Sequence, residues 1–183
     1  MTRTIALTLL VALASPVAAQ DMPMTMPMPM AKAPAPACPK DAEPIPPALA
    51  AWAVKQPLVA ATDATTLART VVTPGVAYDL SLAETPAVTY AVPPQHPGAP
   101  VSRGGMVGFM VASAGTYRVA IGAGAWLDLV RGTTPLPSVA HGHGPNCSGI
   151  RKMVDFALQP GTYALQIVGN ATASIPMLIA KIG

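Results

Sequence analysis

The stretches FMVASAGTYRVAIG at residues 109–122 and FALQPGTYALQIVG at residues 156–169 decide the fold. Each leads from an alternating apolar segment through a small-residue turn into Gly-Thr-Tyr and a second alternating segment. Alternation places every second side chain on one face, which is typical of a half-buried β-strand. The glycine suits the turn, and the tyrosine begins the returning strand with its ring on the buried face. We interpret MVDFALQPGTYALQIVGN as a hairpin around residues 159–161.

Similar segments flank these two stretches. Turns rich in proline and glycine separate the segments TVVT, AYDLSLA, AVTYAV, WLDLVRG and SIPMLIAKI. In AYDLSL, the side chains of Tyr78, Leu80 and Leu82 share one face. About eight or nine short strands at this spacing predict an all-β fold, an antiparallel β-sandwich or jelly roll, over residues 69–183.

Several large side chains on the predicted strands are assigned to the core. Met106 and Met110 are four residues apart on one strand, so they share a face, and core packing is the better interpretation for both. Tyr117 and Trp126 are also expected to fill the core rather than to form a platform for a sugar.

The N-terminal sequence predicts export. Arg3 precedes the apolar run Ile5–Leu13 and the small-residue site Val17–Ala19. Because that run is too short to span a bilayer, residues 1–19 are expected to be a signal peptide cleaved after Ala19. No later stretch is long and apolar enough to span a membrane. The mature chain is therefore expected to be periplasmic or secreted.

Two segments separate the signal peptide from the strands. Residues 20–46 form a Met/Pro-rich, low-complexity tail, which is expected to be disordered because its prolines favour extended backbone over a packed core. Residues 47–68 are expected to be a short helical lead-in. Its helix, in PPALAAWAVK, buries Trp52, and Asp63 caps one further turn that ends near Leu67.

The tail contains the clearest chemical signal, the run DMPMTMPMPM. Methionine occupies every second position, at Met22, Met24, Met26, Met28 and Met30. The intervening prolines block helix formation and remove amides that a sheet needs, so the thioethers are expected on an extended, solvated chain. Thioether sulfur is a soft ligand that prefers Cu(I). The run therefore predicts copper binding; a proline-rich spacer in which methionine is merely tolerated is the alternative.

Histidines and cysteines supply the other candidate ligands. His141 and His143 form a His-x-His pair, and on an extended chain both imidazoles project to one face and reach one metal ion. The alternative is a polar loop with two exposed histidines. His96 is a third imidazole if its loop folds over the first. Cys38 and Cys147 are expected to form a disulfide outside the cytoplasm; Cys147, if reduced, is instead a thiolate ligand beside the histidines.

Composition and the missing motifs argue against two classes of function. Charged residues make up 10% of the chain, and the formal net charge of +3 is too small for a nucleic-acid binder without a basic stripe. The chain contains no nucleophile elbow, HExxH, P-loop or paired-carboxylate signature. We therefore predict no enzymatic activity and no catalytic residue.

The signature Gly-Thr-Tyr, at residues 115–117 and 161–163, is similar to strands of prepeptidase C-terminal-like jelly-roll modules of secreted bacterial proteins. The resemblance extends loosely over residues 105–183 and implies a β-sandwich. Calcium-binding versions of these modules carry acidic clusters, which this sequence lacks. The stretch from AWLDLV to SVAHGHGPNCSGIRKMVDF also resembles uncharacterised exported proteins of proteobacteria. This resemblance implies no activity for the chain.

Together these features predict a periplasmic copper-handling protein with a Met-rich arm and a His-x-His loop. Copper is the expected bound cofactor, and the expected partners are the metal ion and an envelope protein or metal transporter. The alternative is a non-enzymatic binding module of the cell envelope, in which the tail is a spacer and the sandwich binds a glycan or a protein.

Overall fold

Twelve β-strands form two sheets in the part of the chain that the computed structural model describes, which is Cys38 and residues 43–183. The strands are β1 (Lys55–Val59), β2 (Val71–Val72), β3 (Ala77–Ser81), β4 (Ala83–Glu84), β5 (Arg103–Val111), β6 (Gly115–Ile121), β7 (Trp126–Arg131), β8 (Thr134–Leu136), β9 (Ala140–Gly142), β10 (Lys152–Leu158), β11 (Gly161–Asn170) and β12 (Ser174–Lys181). Sheet A has the order β1-β3-β12-β6-β10-β9, and sheet B has the order β2-β5-β11-β7-β8, with β4 paired to β5.

The predicted all-β sandwich is confirmed. The short strand β2 lies within the predicted segment TVVT. The structure adds β1, which lies within residues 47–68 where only helix was expected, and the short strands β4, β8 and β9. Both sheets are mixed rather than purely antiparallel, because β1 runs parallel to β3 and β2 runs parallel to β5. These parallel pairs involve the strands that precede the predicted sandwich or open it, and each joins an edge of a sheet.

The predicted hairpin around residues 159–161 is wrong. β10 belongs to sheet A and β11 to sheet B, so the turn is an arch that carries the chain from one sheet to the other. The similar turn at residues 112–115 is likewise an arch, which carries the chain from β5 of sheet B to β6 of sheet A. Each tyrosine hydroxyl donates a hydrogen bond to a carbonyl four residues upstream, Tyr117 to Ser113 (3.0 Å) and Tyr163 to Gln159 (2.7 Å). The tyrosine therefore fixes the arch while its ring lies in the core.

The main core lies between the sheets. Tyr78, Leu80 and Leu82 are buried there together, as their shared face predicts, and Tyr117 joins them. Phe109 of sheet B stacks on Tyr163 at 5.6 Å between ring centroids. Alternating apolar positions from both sheets therefore supply one continuous interior.

A second, smaller apolar cluster covers the outer face of sheet A. The 3₁₀ helix Pro47–Ala53 places Leu49 and Trp52 against Leu178 of β12, so the predicted burial of Trp52 is confirmed. A single α-helical turn, α1 (Ala64–Leu67), begins at the predicted cap Asp63, whose carboxylate accepts the backbone N–H of Thr66. None of the helices in residues 43–183 is long and apolar enough to cross a membrane.

The segment AVTYAV, predicted as a strand, is instead a strap across the outer face of sheet B. The strap comprises residues 88–95; a second 3₁₀ helix, Thr85–Ala87, precedes it. Side chains directly opposite each other on β5, β11 and β7 bind its backbone: Met106 sulfur accepts from Ala91 N–H, Gln166 bonds both ways with Val92, and Asp128 accepts from Gln95 N–H. Alternate side chains of this segment do point inward, but they pack against the outer face of sheet B, and the segment itself is not a strand of either sheet.

The strap also explains a wrong assignment on β5. Met106 and Met110 do share a face, but that face is the outer side of sheet B. The strap covers Met106, which is fully buried, and does not extend over Met110, whose exposed fraction is 65%. Core packing therefore holds for Met106 alone.

Candidate functional site

A cleft of about 560 Å³ opens where the edges of the two sheets face each other. β7 and β8 of sheet B form one side, and β9 and β10 of sheet A form the other. Its apolar wall consists of Leu127, Leu136, Val154 and Phe156. Leu127, Val154 and Phe156 are buried and Leu136 is half-buried, so the cleft reaches the margin of the core.

Trp126 stands at the mouth of this cleft, which corrects its predicted place in the core. Its exposed fraction is 38% because it begins β7 on the outer face of sheet B. The ring of His96 packs against the indole at 3.7 Å between centroids. The indole N–H donates a hydrogen bond of 3.1 Å to the carboxylate of Asp128. Trp126 is therefore held in a defined orientation at the surface.

Asp128 is the buried carboxylate of the site, with an exposed fraction of 4%. One of its oxygens accepts from Trp126 and the other from the backbone N–H of Gln95, at 3.2 Å. These two bonds compensate the cost of burying its charge. Burial, with a smaller contribution from the Asp128 charge, raises the pKa of Tyr90 to about 12, so Tyr90 stays a neutral donor to the carbonyl of Ile167.

Lys152 brings a positive charge to the cleft. Its ammonium lies 4.9 Å from the centroid of the Trp126 ring and donates a 3.0 Å hydrogen bond to the carbonyl of Ala125. Among the described residues no carboxylate oxygen lies within 4.0 Å of it, and burial lowers its pKa. Asp155, which lies three residues from Lys152 in sequence, is bound by Arg118 through two hydrogen bonds of 2.8 Å, which raise the pKa of Arg118.

The two histidines of the His-x-His pair line different clefts. His141, on the edge strand β9, lines the cleft beside Trp126, whereas His143 lines a shallower one formed by residues 143–151. His96 contacts Trp126 but is not among the residues that line either cleft. Three His, Cys, Asp or Glu side chains do not come together as a metal site anywhere in residues 43–183 or at Cys38.

The predicted disulfide between Cys38 and Cys147 is confirmed, with α-carbons 5.7 Å apart. In this bonded form Cys147 has no thiolate for a metal, so its predicted role as a ligand would require reduction. The loop around it is tied to the body of the protein, because the indole N–H of Trp52 donates to the carbonyl of Ser148 at 2.9 Å. The Met22–Met30 run lies outside the described residues.

Sequence reasoning missed Lys152, Asp128 and Gln95 as parts of a site. A signal was present for Asp128, since an aspartate within the apolar strand WLDLV must find partners when it is buried. Lys152 gave no such signal, because its partners come from the distant strand β7.

No protein-family model and no curated protein matches this chain. The resemblance to prepeptidase C-terminal-like modules and to exported proteobacterial proteins stays a prediction.

Proposed function

We propose that the protein is an exported copper-binding protein, in which the Met22–Met30 run binds Cu(I) and the histidine loop supplies imidazole ligands. The observation that carries this proposal is the Cys38–Cys147 disulfide. It attaches the methionine-rich segment covalently to the loop that contains His143. A disulfide also suits the oxidising compartment that the signal peptide predicts.

The disulfide limits how far apart the methionine run and His143 can lie. Met30 lies eight residues before Cys38 and His143 lies four residues before Cys147, so even extended chain keeps these arms within roughly 28 Å and 14 Å of the bridge. The covalent link thus sets an upper limit on the distance between the thioethers and the imidazole, whatever the path of the chain between them.

The hydrogen bonding of His143 supports a ligand role. Its Nδ1 lies 3.0 Å from the carbonyl oxygen of Arg151. Because a carbonyl only accepts, Nδ1 is the donor of this bond, and in the neutral imidazole Nε2 then keeps its lone pair. Metal-binding histidines are commonly oriented by such a bond from the other ring nitrogen. His143 is exposed, so Nε2 is accessible to an incoming ion.

The first experiment is competition with a chromophoric Cu(I) chelator, with ascorbate as the reductant so that the disulfide stays intact. A variant with leucine at Met22, Met24, Met26, Met28 and Met30 keeps the apolar side chains and the prolines but removes the sulfur. It is expected to lose Cu(I) from the protein to the chelator. Met110→Leu, which removes an exposed thioether from β5, is the matched control and should compete like the wild type. Equal competition by the five-leucine variant would refute the proposal.

The second experiment tests the tether by a double-mutant cycle. His143→Asn is expected to weaken Cu(I) binding in the disulfide-bonded protein. In the Cys38→Ser, Cys147→Ser background the same substitution should have little further effect, because the loop and the methionine segment are no longer joined. An identical effect of His143→Asn in both backgrounds would show that the disulfide does not couple the two groups.

The alternative function, an envelope module for a glycan or protein partner, has one favourable observation, the exposed Trp126 at the mouth of the cleft. Its ring already contacts His96 and the Lys152 ammonium, which leaves less of it for stacking on a sugar. Binding of a soluble oligosaccharide that depends on Trp126, in metal-free protein, would favour this alternative.

A further inference from the structure

The cleft beside Trp126 has the size and lining of a small-molecule site, independent of any bound copper. Its volume of about 560 Å³ falls within the range of roughly 300–1,000 Å³ that such sites occupy. The wall of Leu127, Leu136, Val154 and Phe156 is apolar and belongs to the edges of both sheets. A ligand in this cleft would therefore contact the margin of the core, where Leu136 is the half-buried side chain of the wall.

The polar groups at the cleft are mainly cationic or already bonded. Lys152 has no carboxylate partner among residues 43–183, and its bond to Ala125 uses one of three ammonium protons. His141 adds an imidazole to the same cleft. Asp128 is the carboxylate that lines it, and both of its oxygens accept hydrogen bonds from Trp126 and Gln95. The unsatisfied donors thus point to an anionic acceptor.

We infer that this cleft binds a small amphipathic carboxylate, with its apolar part against Leu136 and Phe156 and its carboxylate hydrogen-bonded to the Lys152 ammonium. Lys152 is half-buried and has no carboxylate oxygen within 4.0 Å among residues 43–183, so a counter-charge here would offset part of the cost of burying its ammonium. The carboxylate supplies that counter-charge, and the apolar body contacts the apolar wall at the margin of the core. One ligand class thus satisfies both features of the cleft.

Calorimetric titration of the mature protein with octanoate tests the inference. Octanol and octylammonium serve as ligands with the same apolar chain but no charge or the opposite charge. Octanoate is expected to bind, and Lys152→Met is expected to weaken its binding about tenfold or more, as for loss of a hydrogen bond between charged groups. Lys152→Arg keeps the charge and should restore most of the affinity.

Lys55→Met is the matched control, because Lys55 lies 4.9 Å over the Trp52 ring in the same cation–π arrangement but outside the cleft. It should leave octanoate binding unchanged. Absence of octanoate binding, equal binding of octanol or octylammonium, or an equal loss in Lys55→Met would overturn the inference. So would binding that appears only after deletion of residues 20–36, since the cleft would then be occupied by this chain's own segment.

Discussion

Replacement of both cysteines, Cys38→Ser with Cys147→Ser, is expected to lower the free energy of unfolding by about 2 kcal/mol. The disulfide joins residues 109 apart in sequence. A bridge across a loop of that length raises the free energy of unfolding by about 4.7 kcal/mol if reduction gives the folded state no extra freedom. In this fold the helix Pro47–Ala53 begins only nine residues after Cys38 and is anchored by Trp52. The folded protein therefore closes a loop of about nine residues rather than 109.

The expected loss follows from the ratio of these two loop lengths. Loop-closure free energy grows as three-halves RT times the logarithm of length, so lengths of 109 and nine residues differ by about 2.2 kcal/mol. Urea denaturation followed by tryptophan fluorescence measures the change. Trp52 is a suitable reporter because it is buried and bonded to Ser148, next to the lost bridge. The variant should show a lower midpoint and a steeper urea dependence than the wild type, because its unfolded state loses the cross-link and becomes less compact.

Two results would contradict this reasoning. An unchanged midpoint would mean that the bridge contributes no stability. A loss near the full 4.7 kcal/mol expected for a free loop of this length would mean that Cys38 is held in place even without the bond. Reduction of the wild-type protein by a thiol should reproduce the effect of the double substitution, and it controls for the serine side chains.

Three further predictions concern the strap, the histidine loop and the lysine. Gln166→Leu leaves the N–H and the carbonyl of Val92 without hydrogen-bond partners. It is expected to lower the free energy of unfolding, measured by urea denaturation, by about 2–4 kcal/mol; no change would mean that water replaces the glutamine. Gly144→Ala should destabilise the protein by about 1–3 kcal/mol, because a β-carbon there would lie 2.5 Å from Ile150, whereas Gly142→Ala meets nothing within 4 Å and should be tolerated. Burial puts the pKa of Lys152 below its unfolded value, so the unfolded state binds more protons between the two values and stability rises with pH across that alkaline window. Lys152→Met should lack this rise and be at least as stable as the wild type at neutral pH; a less stable variant would show that the ammonium contacts outweigh its burial.

Local patterns predicted much of this fold. Alternation identified the β-strands, and cap and helix signals placed Trp52 and Asp63 correctly, because these features depend on residues close in sequence. Alternation did not reveal which sheet receives a strand, so the arch at Gly161 looked like a hairpin. It also did not distinguish a strand from a strap, since Tyr90 and Val92 alternate equally well when they lie on a sheet face.

The candidate site was less predictable, because it depends on sheet order. The disulfide was anticipated from residue type and compartment, whereas the pairing of His141 with His143 on one metal ion stays a prediction. The cleft itself arises where β7 and β8 face β9 and β10, and the meeting of Lys152 with Trp126 follows only from that arrangement. The exposure of Trp126 has the same origin, since an edge position cannot be recognised without knowing which strands end each sheet.

Gln166 has a consequence for how the two β-sheets assemble. It is fully buried on the outer face of sheet B, between Leu165 and Ile167, which point into the core. A slip of β11 by one position against its neighbours would turn the glutamine amide into the apolar interior and both aliphatic side chains outward. The strap would then lose its central hydrogen bonds at the same time. Gln166 thus disfavours misaligned pairing of β11, and its hydrogen bonds to the strap favour the native alignment of sheet B.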